Sequence, residues 1–330
     1  MITYNGISII PKGNRILVKV KGKTFFAEYP FTMDDVAEDL LWGMMYTLFI
    51  GLEDIPPPQQ KVKRDYTKTM LSFSGGVDSY AIYEMIDCIP VYLNRIYSPE
   101  YGKSQQEIIK AVGSIVVDNN LEQIRTLYRK PHGFNWGSGY VALLLPLSDY
   151  LQAGYMALGT VFDDACYSPK EGKVYFNNIH KTEHYVNIDQ TGVKIIWPAI
   201  GISEIITTEV ARSGQYANLV SSCHFTEKKD CGKCVKCIRK LNNIEITTEV
   251  EKKIEAWKKY PKMSLSMVHK LKQYYSTYNK IDTSLVYDIH EHITRRWNPD
   301  HVTAQILRLN YNKVNVDDKC IEFANQYNAL

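Results

Sequence analysis

The sequence predicts an α/β protein built on a doubly wound, mainly parallel sheet. Three observations point there. Between Lys68 and Lys240 short apolar strands alternate with helical segments, the pattern of parallel strands joined by crossover helices. A glycine-containing loop, Ser74-Gly75-Gly76-Val77-Asp78-Ser79, stands directly between the first of these strands and the first helix. After Lys240 the strand signals stop and only helical spacing continues.

The elements follow in order. Residues 1–30 read as short strands, with ILVKVKGKTFFAEY alternating apolar and charged residues about a hairpin turn at Gly22. A helix is expected from Met33, with Thr32 as its N-cap and Asp34 and Asp35 in its first turn. It runs into Leu40–Leu52, a stretch without charge that needs a cover, either the protein's own core or a second protein surface. Pro56, Pro57 and Pro58 mark a linker, since consecutive prolines continue neither a helix nor a central strand. Strands are then predicted over 69–73, 90–97, 114–117, 155–160 and 194–198. Helices are predicted from Tyr80, over 104–112 and over 141–152. The domain reading is an N-terminal hairpin, helix and linker over 1–61, the α/β domain over 62–240, and a helical region over 241–330.

Composition narrows the function classes. The 330 residues are 45% hydrophobic and 23% charged, ordinary values for a globular chain. With 39 basic against 36 acidic residues the net charge is +3, and no basic arm argues for nucleic acid. The longest apolar run is too short for a membrane span, and no secretory signal is visible at the start. Seven cysteines, four of them between Cys223 and Cys237, argue against a disulfide framework. The expectation is a cytoplasmic protein.

The loop carries the first chemistry. Gly75 and Gly76 permit backbone torsions that let successive N–H groups converge on an anion, and the following helix adds its positive end. Ser74 and Ser79 can donate hydroxyl hydrogen bonds to phosphate oxygens. Asp78 would repel phosphate unless a cation lies between them, which suggests Mg²⁺. The loop matches neither the Walker pattern nor the dinucleotide-binding pattern.

Cys223, Cys231, Cys234 and Cys237 carry the second chemistry. Four thiolates make a closed tetrahedral Zn²⁺ site with no open position, so the metal is expected to be structural; an iron–sulfur cluster is the competing reading.

SGGVDS resembles the loop of the ATP pyrophosphatases, and its pairing with the cysteine cluster resembles the 7-cyano-7-deazaguanine synthase family over roughly residues 66–240. The resemblance implies a sheet of the adenine nucleotide α-hydrolase type, with ATP, Mg²⁺ and Zn²⁺ as cofactors. It implies adenylation of 7-carboxy-7-deazaguanine, release of pyrophosphate, and transfer of the acyl group to a nitrogen nucleophile. Tyr101–Ile108 resembles the family's segment after its second strand, which makes Lys103 a catalytic candidate beside Asp78.

Two departures stand out. Where the family reads P-G-R-N, this chain has His132–Gly139, whose Phe134 and Trp136 could stack a planar heterocycle or simply tuck against the surface. Asp163 and Asp164 follow the fourth strand, where they could bind a base edge or a metal, or form a solvated turn. The added N- and C-terminal segments suggest a protein or peptide acceptor, or a homodimer contact. Relatives that sit in antiviral gene clusters make conjugation to a protein amine an alternative to ammonia. A non-catalytic nucleotide-binding scaffold or sensor is the alternative from another class.

Overall fold

The structure is a computed structural model that describes residues 1–59, 61–97, 105–134, 137–159, 187–199 and 204–221. The chain divides into two compact units. The first gathers Met1–Gly75, Ile86–Leu158 and Thr182–Ile196; the second gathers Gly76–Met85, Gly159–Lys181 and Trp197–Leu330.

In the first unit, nine described strands form one mixed sheet. They are β1 (Ile2–Tyr4), β2 (Ile7–Lys12), β3 (Arg15–Val20), β4 (Lys23–Glu28), β5 (Lys68–Ser72), β6 (Ile89–Arg95), β7 (Ile115–Asn119), β8 (Ala153–Ala157) and β9 (Lys194–Ile196). Their order is β1-β2-β3-β4-β7-β6-β5-β8-β9. From β7 to β9 all neighbours are parallel, as the alternating pattern predicts. From β1 to β4 they are antiparallel, and β4 joins β7 antiparallel through Ala27↔Asn119 and Glu28↔Asp118.

The N-terminal region is therefore a four-stranded meander, more than the single hairpin expected from its sequence. Its two-residue turns explain the tight reversals: Lys21 and Gly22 both take positive φ, 49° and 72°, between the paired residues Val20 and Lys23. Such turns match the right-handed twist of the strands. The meander extends the parallel sheet because Phe26 N–H also donates to Asn120 Oδ1 at 2.7 Å, which fastens β4 alongside the end of β7.

Helix α1 spans Glu38–Leu48, starting five residues later than the sequence suggests. Asp34 does not serve in its first turn; its carboxylate accepts from Gly13 N–H at 2.7 Å, while Met33 N–H donates to the Gly13 carbonyl at 2.7 Å. Those bonds hold residues 33 and 34 against the β2–β3 turn and out of the helix. The apolar run beyond is covered inside its own unit: Leu40, Met44, Met45 and Phe49 have no exposure. α1 packs against α4 (Ser138–Leu144) and β1. The apolar stretch predicted as one helix over 141–152 is α4, a 3-10 turn at Leu145–Leu147 and α5 (Ser148–Leu151). Pro146 has no N–H to continue the ladder, which breaks the helix there.

The proline segment is tied down. Trp42 Nε1 donates to the Pro56 carbonyl at 2.9 Å and Ile55 is buried. Further on, Arg64 grips Asp149 of α5 through Nε at 2.6 Å and Nη2 at 3.0 Å, and Asp39 of α1 through Nη1 at 2.5 Å.

The remaining α-helices among the described residues are α2 (Val77–Met85), α3 (Gln106–Ala111) and α6 (Glu204–Ser213). α3 belongs to the first unit. In the second unit α2 packs against α6. There Tyr80 donates its hydroxyl to Glu84 and accepts from Tyr216 N–H at 2.8 Å.

Candidate functional site

β5 is the strand at which the chain order reverses. The chain proceeds outward from it through β6 to β7, then returns to lay β8 and β9 on its other side. Ligands of open parallel sheets bind at the carboxyl ends of strands where this happens. Met70 and Leu71 have no exposure, as a central strand requires, and Phe73 N–H still donates to the Val91 carbonyl at 2.9 Å. The ladder ends there and SGGVDS begins.

Ser74 is exposed. Gly75 takes φ +73°, and a Cβ placed on it would lie 2.6 Å from Gln105 Cβ and 3.1 Å from Ile108 Cγ2. Torsion and space both demand glycine at this position. The helix starts at once, with Tyr80 N–H donating to the Gly76 carbonyl at 2.9 Å. Ser79 is buried and donates its hydroxyl to the same carbonyl at 3.0 Å, so it also serves the helix start besides being a phosphate-donor candidate. Gly76, Val77 and Asp78 are half-buried. Asp78 Oδ1 accepts a 2.9 Å hydrogen bond from Thr207 Oγ1 of α6, a residue with no exposure that the sequence reading did not single out.

The donor set suits a polyphosphate with a divalent cation. Within the second unit, the N-terminus of the nine-residue α2 suits the anion, and the Asp78 carboxylate held by Thr207 suits the cation.

The adjoining strand ends carry a second cluster in the first unit. Glu122, just after β7, has a fully buried side chain held by Arg95 Nε at the end of β6 and by His132 Nε2 at 3.3 Å. Gly133 N–H donates to the Glu122 carbonyl at 3.4 Å, and Arg125 Nη1 donates to the Phe134 carbonyl at 3.1 Å. Phe134 packs its ring onto α4, where a Cβ on Gly139 would meet Phe134 Cγ and Cδ1 at 2.1 Å; its ring centre is 6.1 Å from that of Tyr140. The Tyr140 hydroxyl is pushed above its ordinary pKa by burial, with Arg95 opposing and Glu122 adding. The sequence reading missed Arg95 and Glu122; the available signal was a charge at the end of each apolar strand.

Lys103, Trp136, Asp163, Asp164 and the four cysteines Cys223, Cys231, Cys234 and Cys237 lie outside the described residues. Among the described residues no helix is long and apolar enough to cross a membrane.

Comparison with known proteins adds the following. A model described as a family of unknown function (DUF6395) matches residues 187–256, a stretch that takes in α6 and all four clustered cysteines. The chain is 23% identical over 112 residues to a 7-cyano-7-deazaguanine synthase of Chlorobium limicola, a match covering 33% of this chain and 49% of that protein. It is 20% identical over 188 residues to a 7-cyano-7-deazaguanine synthase of Chlorobium luteolum, covering 56% and 77%. The first match thus spans about half the length of the relative. No solved structure matches the chain. The chain resembles the 7-cyano-7-deazaguanine synthases, as the loop and the cysteine spacing suggest.

Proposed function

We propose that this chain is an ATP-dependent enzyme that activates a carboxylate by adenylation and passes the acyl group to a nitrogen nucleophile. The acid on this reading is a 7-deazaguanine carboxylate. The observation that carries it is the placement of SGGVDS at the carboxyl end of β5, the strand where the chain order reverses. The two synthase relatives support the substrate class.

Carboxylate oxygen attacks the α-phosphorus of ATP, the bond to the β-phosphate oxygen breaks, and pyrophosphate leaves. The nitrogen then attacks the acyl carbon, the bond to AMP breaks, and the nitrogen loses its proton to solvent. Ammonia gives an amide, the precursor of a nitrile, whereas a protein or peptide amine gives a conjugate. The chain's part is positioning. Ser74 and the loop N–H groups would hold the phosphates, and Asp78 would hold Mg²⁺. When bound, that ion neutralises charge developing on the departing pyrophosphate. Cys223, Cys231, Cys234 and Cys237 would hold a structural Zn²⁺, which stabilises the fold and takes no part in the chemistry.

The test is incubation of the full chain with ATP, Mg²⁺, 7-carboxy-7-deazaguanine and ammonia, followed by mass spectrometry. Carboxylate-dependent AMP and pyrophosphate, with a product bearing the new nitrogen, is the expected result. AMP formation only when a protein acceptor replaces ammonia selects the conjugating form. Nucleotide binding with no turnover on either acceptor leaves a scaffold or sensor, and ADP as product overturns the reading.

A further inference from the structure

We infer that Thr207 is a positioning residue for Asp78, fixing the carboxylate that takes a divalent cation beside bound ATP. The inference rests on the proposed function of the loop. Its basis is a contact between elements far apart in the chain: Thr207 Oγ1 of α6 donates at 2.9 Å to Asp78 Oδ1, in the first turn of α2, across 129 positions of sequence.

The choice of residue is informative. Thr207 has no exposure and faces a helix–helix contact, where a valine would fill the same volume with nothing to satisfy. Here the hydroxyl reaches across to the acid of the neighbouring helix. Asp78 is the one carboxylate in the phosphate loop. Fixing one of its oxygens removes rotational freedom that a metal ligand would otherwise lose on binding. Carboxylates that ligate metals are held by such partners, and losing a partner typically weakens metal affinity by about 10- to 100-fold.

A second contact joins the same two elements. The Tyr80 hydroxyl of α2 accepts from Tyr216 N–H just after α6 at 2.8 Å. Thr207→Val keeps the volume and should keep the packing.

The experiment compares the full-length wild type with Thr207→Val, Thr207→Ser and Asp78→Asn. Mn²⁺ uptake is read as the retention of Mn²⁺ with the protein in equilibrium dialysis, both sides holding the same non-hydrolysable ATP analogue, and thermal unfolding is read without nucleotide. Thr207→Val is expected to raise the Mn²⁺ Kd by about 10- to 100-fold, to leave the unfolding midpoint close to wild type, and to be rescued by Thr207→Ser. Unchanged Mn²⁺ affinity in Thr207→Val, alongside its loss in Asp78→Asn, overturns the inference and leaves the loop reading intact. If the wild type takes up no Mn²⁺ with the analogue, the loop reading fails and Thr207 has no ion to position. Should valine unfold the chain, Thr207→Cys keeps the size and weakens the donor; wild-type Mn²⁺ affinity in that variant overturns the inference equally.

Discussion

Gly75 and Gln105 stand so close that neither torsion nor space admits a side chain on the glycine. A Cβ there would lie 2.6 Å from the Gln105 Cβ, and the backbone already sits at φ +73°. Gly75 is thus backed by Gln105 and Ile108 at the start of α3.

Gly75→Ala should therefore damage both fold and site. The positive φ costs about 1 kcal/mol for alanine, and the collision with the Gln105 side chain adds overpacking of about 1–3 kcal/mol. A loss of about 2–4 kcal/mol in chemical denaturation is expected, with nucleotide binding reduced. Adding Gln105→Gly makes room and should return the packing part while leaving the torsional part. A double variant no more stable than Gly75→Ala would show that the contact is not the source.

Arg64 makes a separate prediction in the first unit. Its side chain is only 5% exposed and bridges Asp39 of α1 with Asp149 of α5. Removing one partner of a buried pair costs about 3–5 kcal/mol, but the two carboxylates here are partly solvated, which screens the loss. Arg64→Ala is expected to cost about 2–3 kcal/mol by urea denaturation. Arg64→Lys should recover little, because an ammonium cannot reproduce the fork that reaches both acids. A lysine variant as stable as wild type would refute the geometric part.

Cys88 should be inert. Burial pushes its thiol up to about 12, with Asp87 adding to the shift. The thiolate is the reactive form, so the native protein at neutral pH should alkylate Cys88 far more slowly than the unfolded chain. The sign with pH follows. The folded state keeps the proton that the unfolded state releases above its ordinary value of about 8.5. Stability should therefore fall as pH rises from there toward about 12, and Cys88→Ala should flatten that decline. Rapid labelling of Cys88 in folded protein would contradict this.

The parallel strands and SGGVDS were legible because central strands are short apolar runs and the loop chemistry is local. The extent of the meander was not. β2 contains Pro11 and its sequence alternates weakly, so its pairing with β3 across the turn at Gly13 and Asn14 is not announced. The junction of β4 with β7 joins segments some ninety residues apart, so no local pattern announces it. The helix start was misread because Asp34 looks like a first-turn acid, whereas it binds Gly13 N–H. The charge-free run ending at Leu52 told that a cover exists but not which one; Met44 and Phe49 are buried with no exposure. At the site, Glu122 escaped notice because a charged residue reads as surface until Arg95 and His132 are seen around it. Thr207 escaped because nothing in a helical threonine announces a partner 129 residues away.

The cysteine cluster yields the last prediction, from spacing alone. Cys223, Cys231, Cys234 and Cys237 offer four thiolates, and their C-G-x-C spacing from Cys231 to Cys234 is that of a zinc knuckle. One Zn²⁺ per chain is expected in anaerobically purified protein by elemental analysis. Cys234→Ser should lose or weaken it, because a hydroxyl is a poor replacement for a thiolate. Since ligand ordering and folding are coupled at such sites, the variant should also lose several kcal/mol of stability. Chelator treatment of the wild type should give the same loss, and returning Zn²⁺ should restore the wild type but not Cys234→Ser. Stability unaffected by both the chelator and the substitution would exclude a structural role, and an iron–sulfur absorption band in place of zinc would change the metal while keeping the ligands.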